Sequence, residues 1–296
     1  MSEALFPGFT RRRIAVAGNE INLMLGGGGP PVLLIHGYPQ THACWHAMAP
    51  ELAKRFTVVA PDLRGYGDSA TPPSASDHRP HSKRAMAAEL VEVMAALGFA
   101  RFAVVGHDRG ARVAYRMAFD HAGKVARLCT LDVVPTHAMW QGVNKAFATS
   151  TYHWFFLIQP TPFPERLIGS DPEYFIRHTL ASWAKPGFAF DERAMAEYIR
   201  AFRRPEVVHA TCEDYRAGAT VDDQDDAADL KAGRKIACPL LALWGEHSGF
   251  AKGDRLAVWR NWASDVRGGP IESGHFLPEE APQATLAQLL PFLAEG

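Results

Sequence analysis

The stretch Phe102-Ala103-Val104-Val105-Gly106-His107-Asp108-Arg109-Gly110-Ala111-Arg112 decides the fold. Its first four residues form a short, continuous apolar run, the pattern of a strand buried on both faces of a parallel sheet. Behind it, Ala111, Ala114, Tyr115 and Ala118 fall on one face of a helix. Between the two stands Gly106-His107-Asp108-Arg109-Gly110, a G-x-S-x-G nucleophile elbow with aspartate in the place of serine. Glycines at both ends permit a sharp strand-to-helix turn, which pushes the Asp108 side chain into the cleft at the carboxyl end of the strand. The helix N-terminus behind it favours the ionised carboxylate. Alone, the pentapeptide is equally compatible with a simple helix cap, so its weight depends on its surroundings.

Working outward, Val32–Ile35 and Thr57–Ala60 read as two further buried strands, the second stopped by Pro61-Asp62. Gly26 to Gly29 precede the first of these, and no Gly-Lys-Ser/Thr follows, so they predict a turn and not a phosphate loop. Met86, Leu90, Met94 and Leu97 carry the stripe of an amphipathic helix ended by Gly98. Leu128–Val134 predicts a fourth strand and Leu240–Trp244 a fifth. Pro282 opens a last helix with Leu286, Leu289, Leu290 and Leu293 on one face, and Pro291 predicts a kink or early end there. Strands alternating with helices predict an α/β fold with a doubly wound, mostly parallel sheet. Between residues 137 and 215 the pattern changes to crowded aromatics (Trp140, Tyr152, His153, Trp154, Phe155, Phe156) with proline-rich turns. This segment, 137–215, reads as a helical cap inserted into a core formed by 1–136 and 216–296.

Composition bounds the function. Of 296 residues, 47% are hydrophobic and 21% charged, enough to bury a large core and too little charge for wholesale disorder. Thirty-one Lys and Arg balance 32 Asp and Glu, so no basic footprint marks a nucleic-acid partner. Cys44, Cys129, Cys212 and Cys238 lie far apart, with no C-x-x-C pair, and read as buried thiols of a reducing compartment. No apolar run approaches a membrane span, and Met1 to Gly8 carries no secretion signal, so a cytoplasmic protein is expected. Arg11 to Arg13 and the acidic cluster Asp222, Asp223, Asp225, Asp226 and Asp229 read as solvated surface. A calcium loop starting at Asp222 is set aside, because Ala227 and Gly233 stand where glycine and glutamate are required.

The remaining chemistry sits at strand ends. His36-Gly37-Tyr38-Pro39 follows the first strand, so the backbone N–H groups of Tyr38 and Arg109 are expected to form an oxyanion hole. Asp132 ends the fourth strand, and Gly274-His275-Phe276 precedes the last helix. The order Asp108, Asp132, His275 is nucleophile, acid, base. Each residue separately has a bland reading, Asp132 as a helix cap and His275 as a loop histidine; together, in order and at strand ends, they point to a catalytic triad. Glu246, after the strand ending at Trp244, is a rival for the acid. Arg109 and Arg112 lie on one side of the first helical turn, beside Asp108. Two guanidinium forks next to an ionised carboxylate make a receptor for a second carboxylate. They also offset the repulsion between an anionic substrate and an anionic nucleophile, about 4 kcal/mol at about 4 Å and an effective dielectric of about 20. Their bland reading is pairing with surface acids.

Over nearly its whole length the sequence resembles the haloacetate (fluoroacetate) dehalogenases of the α/β-hydrolase superfamily. The resemblance is carried by Phe6-Pro7-Gly8, by the stretch from His36 to His42, by Gly106 to Arg112, by Tyr152-His153-Trp154, by Cys212 to Gly218, and by Glu272 to Glu280. It implies an α/β-hydrolase fold with a cap and a hydrolysis that needs no cofactor or metal. It favours Asp132 over Glu246 as the triad acid. It further implies that Arg109 and Arg112 bind the substrate carboxylate, that His153, Trp154 and Tyr215 hold the departing halide, and that the protein is a homodimer. Fluoroacetate would become glycolate and fluoride. Two other readings stand beside it: an epoxide hydrolase, with Tyr152 or Tyr215 protonating the opening oxygen, and a non-catalytic ligand-binding protein on the same fold.

Overall fold

The computed structural model describes residues 5–16, 18–249 and 253–295. Met1 to Ala4, part of the stretch read as lacking a secretion signal, lie outside these. Among the described residues, eight strands form one sheet: β1 Thr10–Val16, β2 Asn19–Gly27, β3 Pro31–Ile35, β4 Thr57–Pro61, β5 Phe102–His107, β6 Val125–Leu131, β7 Leu240–Gly245 and β8 Val266–Ile271. Their order is β1-β2-β4-β3-β5-β6-β7-β8. β1 and β2 pair antiparallel, β2 joins β4 antiparallel, and all pairings from β4 to β8 are parallel. The chain therefore leaves β3 toward β4 on one side and returns to β5 on the other. That reversal opens a crevice beyond the carboxyl ends of β3 and β5, where ligands bind in sheets of this kind. β5 is buried at all six positions, as its continuous apolar run requires.

The five strands expected from apolar runs are present; β1, β2 and β8 were not legible. β1 carries Arg11, Arg12 and Arg13 on a half-exposed sheet edge, and β8 carries Gly268, Gly269 and Pro270, residues a strand tolerates at an edge. The fourth strand is shifted three residues from its expected place: it runs from Val125 and ends at Leu131, because Asp132 takes φ 54° and turns the chain off the sheet. The last helix, Pro282–Ala294, does not stop at Pro291. Leu286 and Leu289 before the proline, and Phe292 and Leu293 after it, are all buried, and that packing outweighs one lost backbone hydrogen bond.

The acidic cluster corrects the reading of a solvated surface. Asp222, Asp226 and Asp229 are buried in the helix Val221–Lys231. Asp222 accepts from Lys83 Nζ at 3.0 Å, while Asp226 and Asp229 both receive Arg116, at 2.7 and 2.5 Å. These ion pairs fix that helix against the helices Lys83–Ala96 and Arg109–Asp120.

Between β6 and β7 the described residues form eight helices. A division at 215/216 falls inside one of them, Pro205–Gly218. No helix is long and apolar enough to cross a membrane among the described residues. Aromatics of these helices meet Tyr38 at the carboxyl end of β3: the Tyr215 ring at 5.1 Å and the His153 ring at 6.4 Å. The crevice is thereby roofed.

Candidate active site

Asp108 joins β5 to the helix Arg109–Asp120 with φ 48° and ψ −119°, a backbone conformation that L-residues rarely adopt. The flanking glycines make the turn possible. A Cβ on Gly106 would stand 2.5 Å from the Ala111 Cα, and one on Gly110 would collide with the Ile35 carbonyl oxygen. The elbow thus holds the Asp108 carboxylate at the end of the sheet, where the Tyr38 N–H donates to its Oδ1 at 2.8 Å. The Arg109 amide opens the helix and so has no acceptor within it.

His275 faces Asp108 from the loop after β8, with Nε2 3.8 Å from the Asp108 Oδ2. Its Nδ1 lies 2.6 Å from the Asp132 Oδ2. The other oxygen of Asp132 accepts from the Gly245 N–H at 3.0 Å and the Ser248 hydroxyl at 2.9 Å. Glu246 is exposed, and among the described residues it is Asp132 whose carboxylate reaches the His275 Nδ1. Burial alone would lower the His275 pKa, but the hydrogen bond and charge of Asp132, helped by Asp108, raise it above the ordinary value. Burial acts the other way on Asp108; there, positive charge at His275, Arg109 and Arg112 wins, and the carboxyl pKa is lowered.

Both arginines are buried, which excludes the bland reading of pairing with surface acids. Arg109 stacks 4.1 Å from the Tyr215 ring centroid and Arg112 lies 4.8 Å from that of Trp154. Asp214 grips one edge of Arg109, accepting from Nε at 3.2 Å and Nη2 at 2.8 Å. Arg112 Nη1 donates to the Val134 carbonyl and the Thr136 hydroxyl at 3.1 and 3.0 Å. What remains is informative: Arg109 Nη1 and Arg112 Nε and Nη2 are buried without a hydrogen-bond partner. Buried guanidinium donors left open this way are costly unless an anion completes them.

The helices between β6 and β7 supply the rest. The Tyr215 hydroxyl and the His153 Nδ1 are also buried and unpartnered. Burial drives His153 down to about 3, so its ring is neutral and presents one N–H. The Trp154 ring packs 6.2 Å from that of Tyr215. A cavity of about 420 Å³ reaches Asp108, His153 and His275 from outside. The structure thus brings together Tyr38, Asp108, Arg109, Arg112, Asp132, His153, Trp154, Tyr215 and His275; Tyr152, 44% exposed, stands at the wall of the same cavity.

A sequence model of the alpha/beta hydrolase fold matches residues 30–282. The chain belongs to the α/β-hydrolase fold family. Within it, the protein is 42% identical to the fluoroacetate dehalogenase of Burkholderia sp over 99% of this chain and 96% of that one. It is 34% identical to the soluble epoxide hydrolase of Corynebacterium sp. (strain C12), over 96% and 97%. Among solved structures, an α/β hydrolase from Nostoc sp PCC 7120 superposes with a TM-score of 0.96 at 53% identity, covering 98% of this chain and all of that one.

Three residues of this α/β hydrolase's site escaped the sequence reading. Trp183 walls the cavity, its ring 4.3 Å from His153 and 5.7 Å from His275. No periodicity or motif marks it. Asp214 orients Arg109, and Ser248 orients Asp132; Asp214 sits inside the stretch Cys212 to Gly218, where its position before Tyr215 was the available signal.

Proposed function

We propose that this α/β hydrolase cleaves the carbon–halogen bond of small haloacetates through an ester on Asp108. The single observation that carries the reading is the pair of buried guanidiniums beside the nucleophile, with Arg109 Nη1 and Arg112 Nε and Nη2 open. They form a cradle for the substrate carboxylate. Asp108 attacks the carbon bearing halogen, and the electrons of the broken bond leave with the halide. His153, Trp154 and Tyr215 face the departing atom with N–H and O–H donors, which matter most for fluoride, a poor leaving group and strong hydrogen-bond acceptor. His275, oriented by Asp132, takes a proton from water, whose oxygen attacks the ester carbonyl. The Tyr38 and Arg109 amides receive the oxyanion. Collapse releases the 2-hydroxy acid, which takes its proton back from His275. The Burkholderia relative supports this substrate class.

An epoxide hydrolase is the second reading, favoured by the Corynebacterium relative and by the unpartnered Tyr215 hydroxyl. A neutral epoxide leaves the arginine donors unsatisfied, whereas Tyr152, its other candidate acid, lines the cavity while 44% exposed. Two further expectations, a homodimer implied by the family resemblance and a cytoplasmic location read from the sequence, are tested by sizing chromatography and cell fractionation. The deciding experiment is a single turnover in oxygen-18 water with enzyme in excess over fluoroacetate or chloroacetate. The product hydroxyl should carry unlabelled oxygen from Asp108, with the label entering the Asp108 carboxylate. Labelled product in that turnover excludes the ester route, and diol formation from an epoxide without halide release from haloacetates establishes the second reading.

A further inference from the structure

Glu280 ends the helix Leu277–Glu280, five residues past His275, and its carboxylate accepts three backbone N–H groups. Gly274 and Phe276, the two neighbours of His275, donate at 2.7 Å each, and so does Lys185 of the cap, also at 2.7 Å. The peptide groups of His275 are taken as well. Its N–H donates to the Trp183 carbonyl at 3.0 Å, and its carbonyl lies 2.8 Å from the His107 Nε2. Burial drives His107 down to about 4, so that ring is neutral and donates without adding a charge beside His275. Gly274 is required by this closeness: a Cβ there would collide with the Lys185 nitrogen and stand 2.8 Å from the Glu280 Oε2.

We propose that Glu280 is the positioning residue for His275, locking the base loop and the cap segment 183–185 into one body. The proposal rests on the base role given to His275 above. Three converging N–H donors need an acceptor-only group with two oxygens, which a carboxylate is and a carboxamide is not. A glutamine must aim its own N–H groups at one of those donors and lose at least one of the three bonds. The lock has a chemical use. Trp183 walls the cavity and shares the locked segment with Lys185, so a single carboxylate sets both the wall against the substrate and the ring that activates water. A misplacement of about 1 Å at such a ring costs about a hundredfold in rate.

The test uses full-length Glu280→Gln and Lys185→Pro; the second keeps the measurement possible where the first does not fold. Lys185→Pro removes the cap N–H together with the Lys185 Nζ–Glu272 ion pair at 2.7 Å, so it is read against Lys185→Ala, which removes the ion pair and keeps the N–H. Rapid-quench turnover of chloroacetate separates chloride release from hydrolysis of the ester, followed as the mass of the Asp108 peptide. Hydrolysis should fall about a hundredfold in Glu280→Gln, and less in Lys185→Pro, while first-turnover chloride release stays near wild type and the ester accumulates. Glu280→Asp, which restores the carboxylate, should recover part of the loss. Backbone hydrogen exchange without substrate should accelerate in 274–276 and 183–185 together. Equal losses in both steps, unchanged hydrolysis in a folded variant, or faster exchange in one segment alone overturns the proposal. A wild-type enzyme that forms no ester overturns the haloacetate reading instead, and the exchange result still decides whether Glu280 couples the two segments.

Discussion

Replacing Asp132 with asparagine should separate the two chemical steps, and the structure says how. Oδ1 of Asp132 receives two donors, the Gly245 N–H and the Ser248 hydroxyl, while Oδ2 faces the His275 Nδ1. Asparagine has one oxygen to give. Turning its NH2 toward Gly245 would set donor against donor in a buried place, a cost of about 1–3 kcal/mol. The amide oxygen therefore stays with Gly245 and Ser248, and the NH2 points at His275. The ring must then accept at Nδ1 and carry its proton on Nε2, facing Asp108, where it cannot take a proton from water. A triad histidine fixed in the wrong tautomer loses about 10⁴-fold in rate, or about 5.4 kcal/mol at about 1.36 kcal/mol per tenfold. Halide displacement uses Asp108, the arginines and the donors His153, Trp154 and Tyr215, none of them bonded to Asp132, and should stay within about tenfold of wild type. Rapid quench with chloroacetate should therefore give a burst of one chloride per active site, followed by near arrest, with the ester visible on the Asp108 peptide. Glu246→Gln, on an exposed side chain, should change neither step by more than about twofold. Steady turnover within tenfold of wild type in Asp132→Asn, or a slow reaction with no burst, would refute the reasoning.

Arg112→Lys should lower kcat/KM for haloacetate by about 10- to 100-fold, because one ammonium cannot hold Val134 and Thr136 and also bind a carboxylate through two further N–H groups. Haloacetamide should be a far poorer substrate for the wild type, and equal turnover of acid and amide would remove the arginine cradle from the mechanism. Trp154→Phe keeps most of the ring and deletes the indole donor, so fluoroacetate activity should drop by about a hundredfold or more while bromoacetate loses much less; an equal loss across halides would make the residue packing alone. For pH, the base must be neutral, and the pKa of His275 is raised, so single-turnover ester hydrolysis should rise with pH along a limb centred above 6.5. The stabilisation of the folded state by the protonated ring is complete below 6.5 and is lost as pH rises through that raised value. A limb at or below 6.5 would contradict the ion-pair environment.

The elbow was legible because its constraint is local. A buried strand, a helix and two glycines around one residue leave few conformations, and all of that information lies within Phe102 to Arg112. The order of Asp108, Asp132 and His275 at strand ends was legible for a related reason: an apolar run marks where a parallel strand stops, and chemistry collects there. What the chain could not disclose were relations between distant residues. Asp222, Asp226 and Asp229 look like a solvated acidic face until Lys83 and Arg116, more than a hundred residues away, are folded against them. β8 has no strand signal of its own, because its place at the sheet edge comes from pairing with β7. Whether Asp132 or Glu246 reaches His275 depends on a left-handed turn at 132 and on two donors from the loop after β7. The arginines were legible as charges, but their open N–H groups became visible only once Asp214, Val134 and Thr136 had satisfied the others. Sequence determined which groups this protein owns and the local turns that present them. Tertiary structure decided which of those groups are buried and left unpaired, since burial and hydrogen-bond completion are properties of packed neighbours and not of any segment alone.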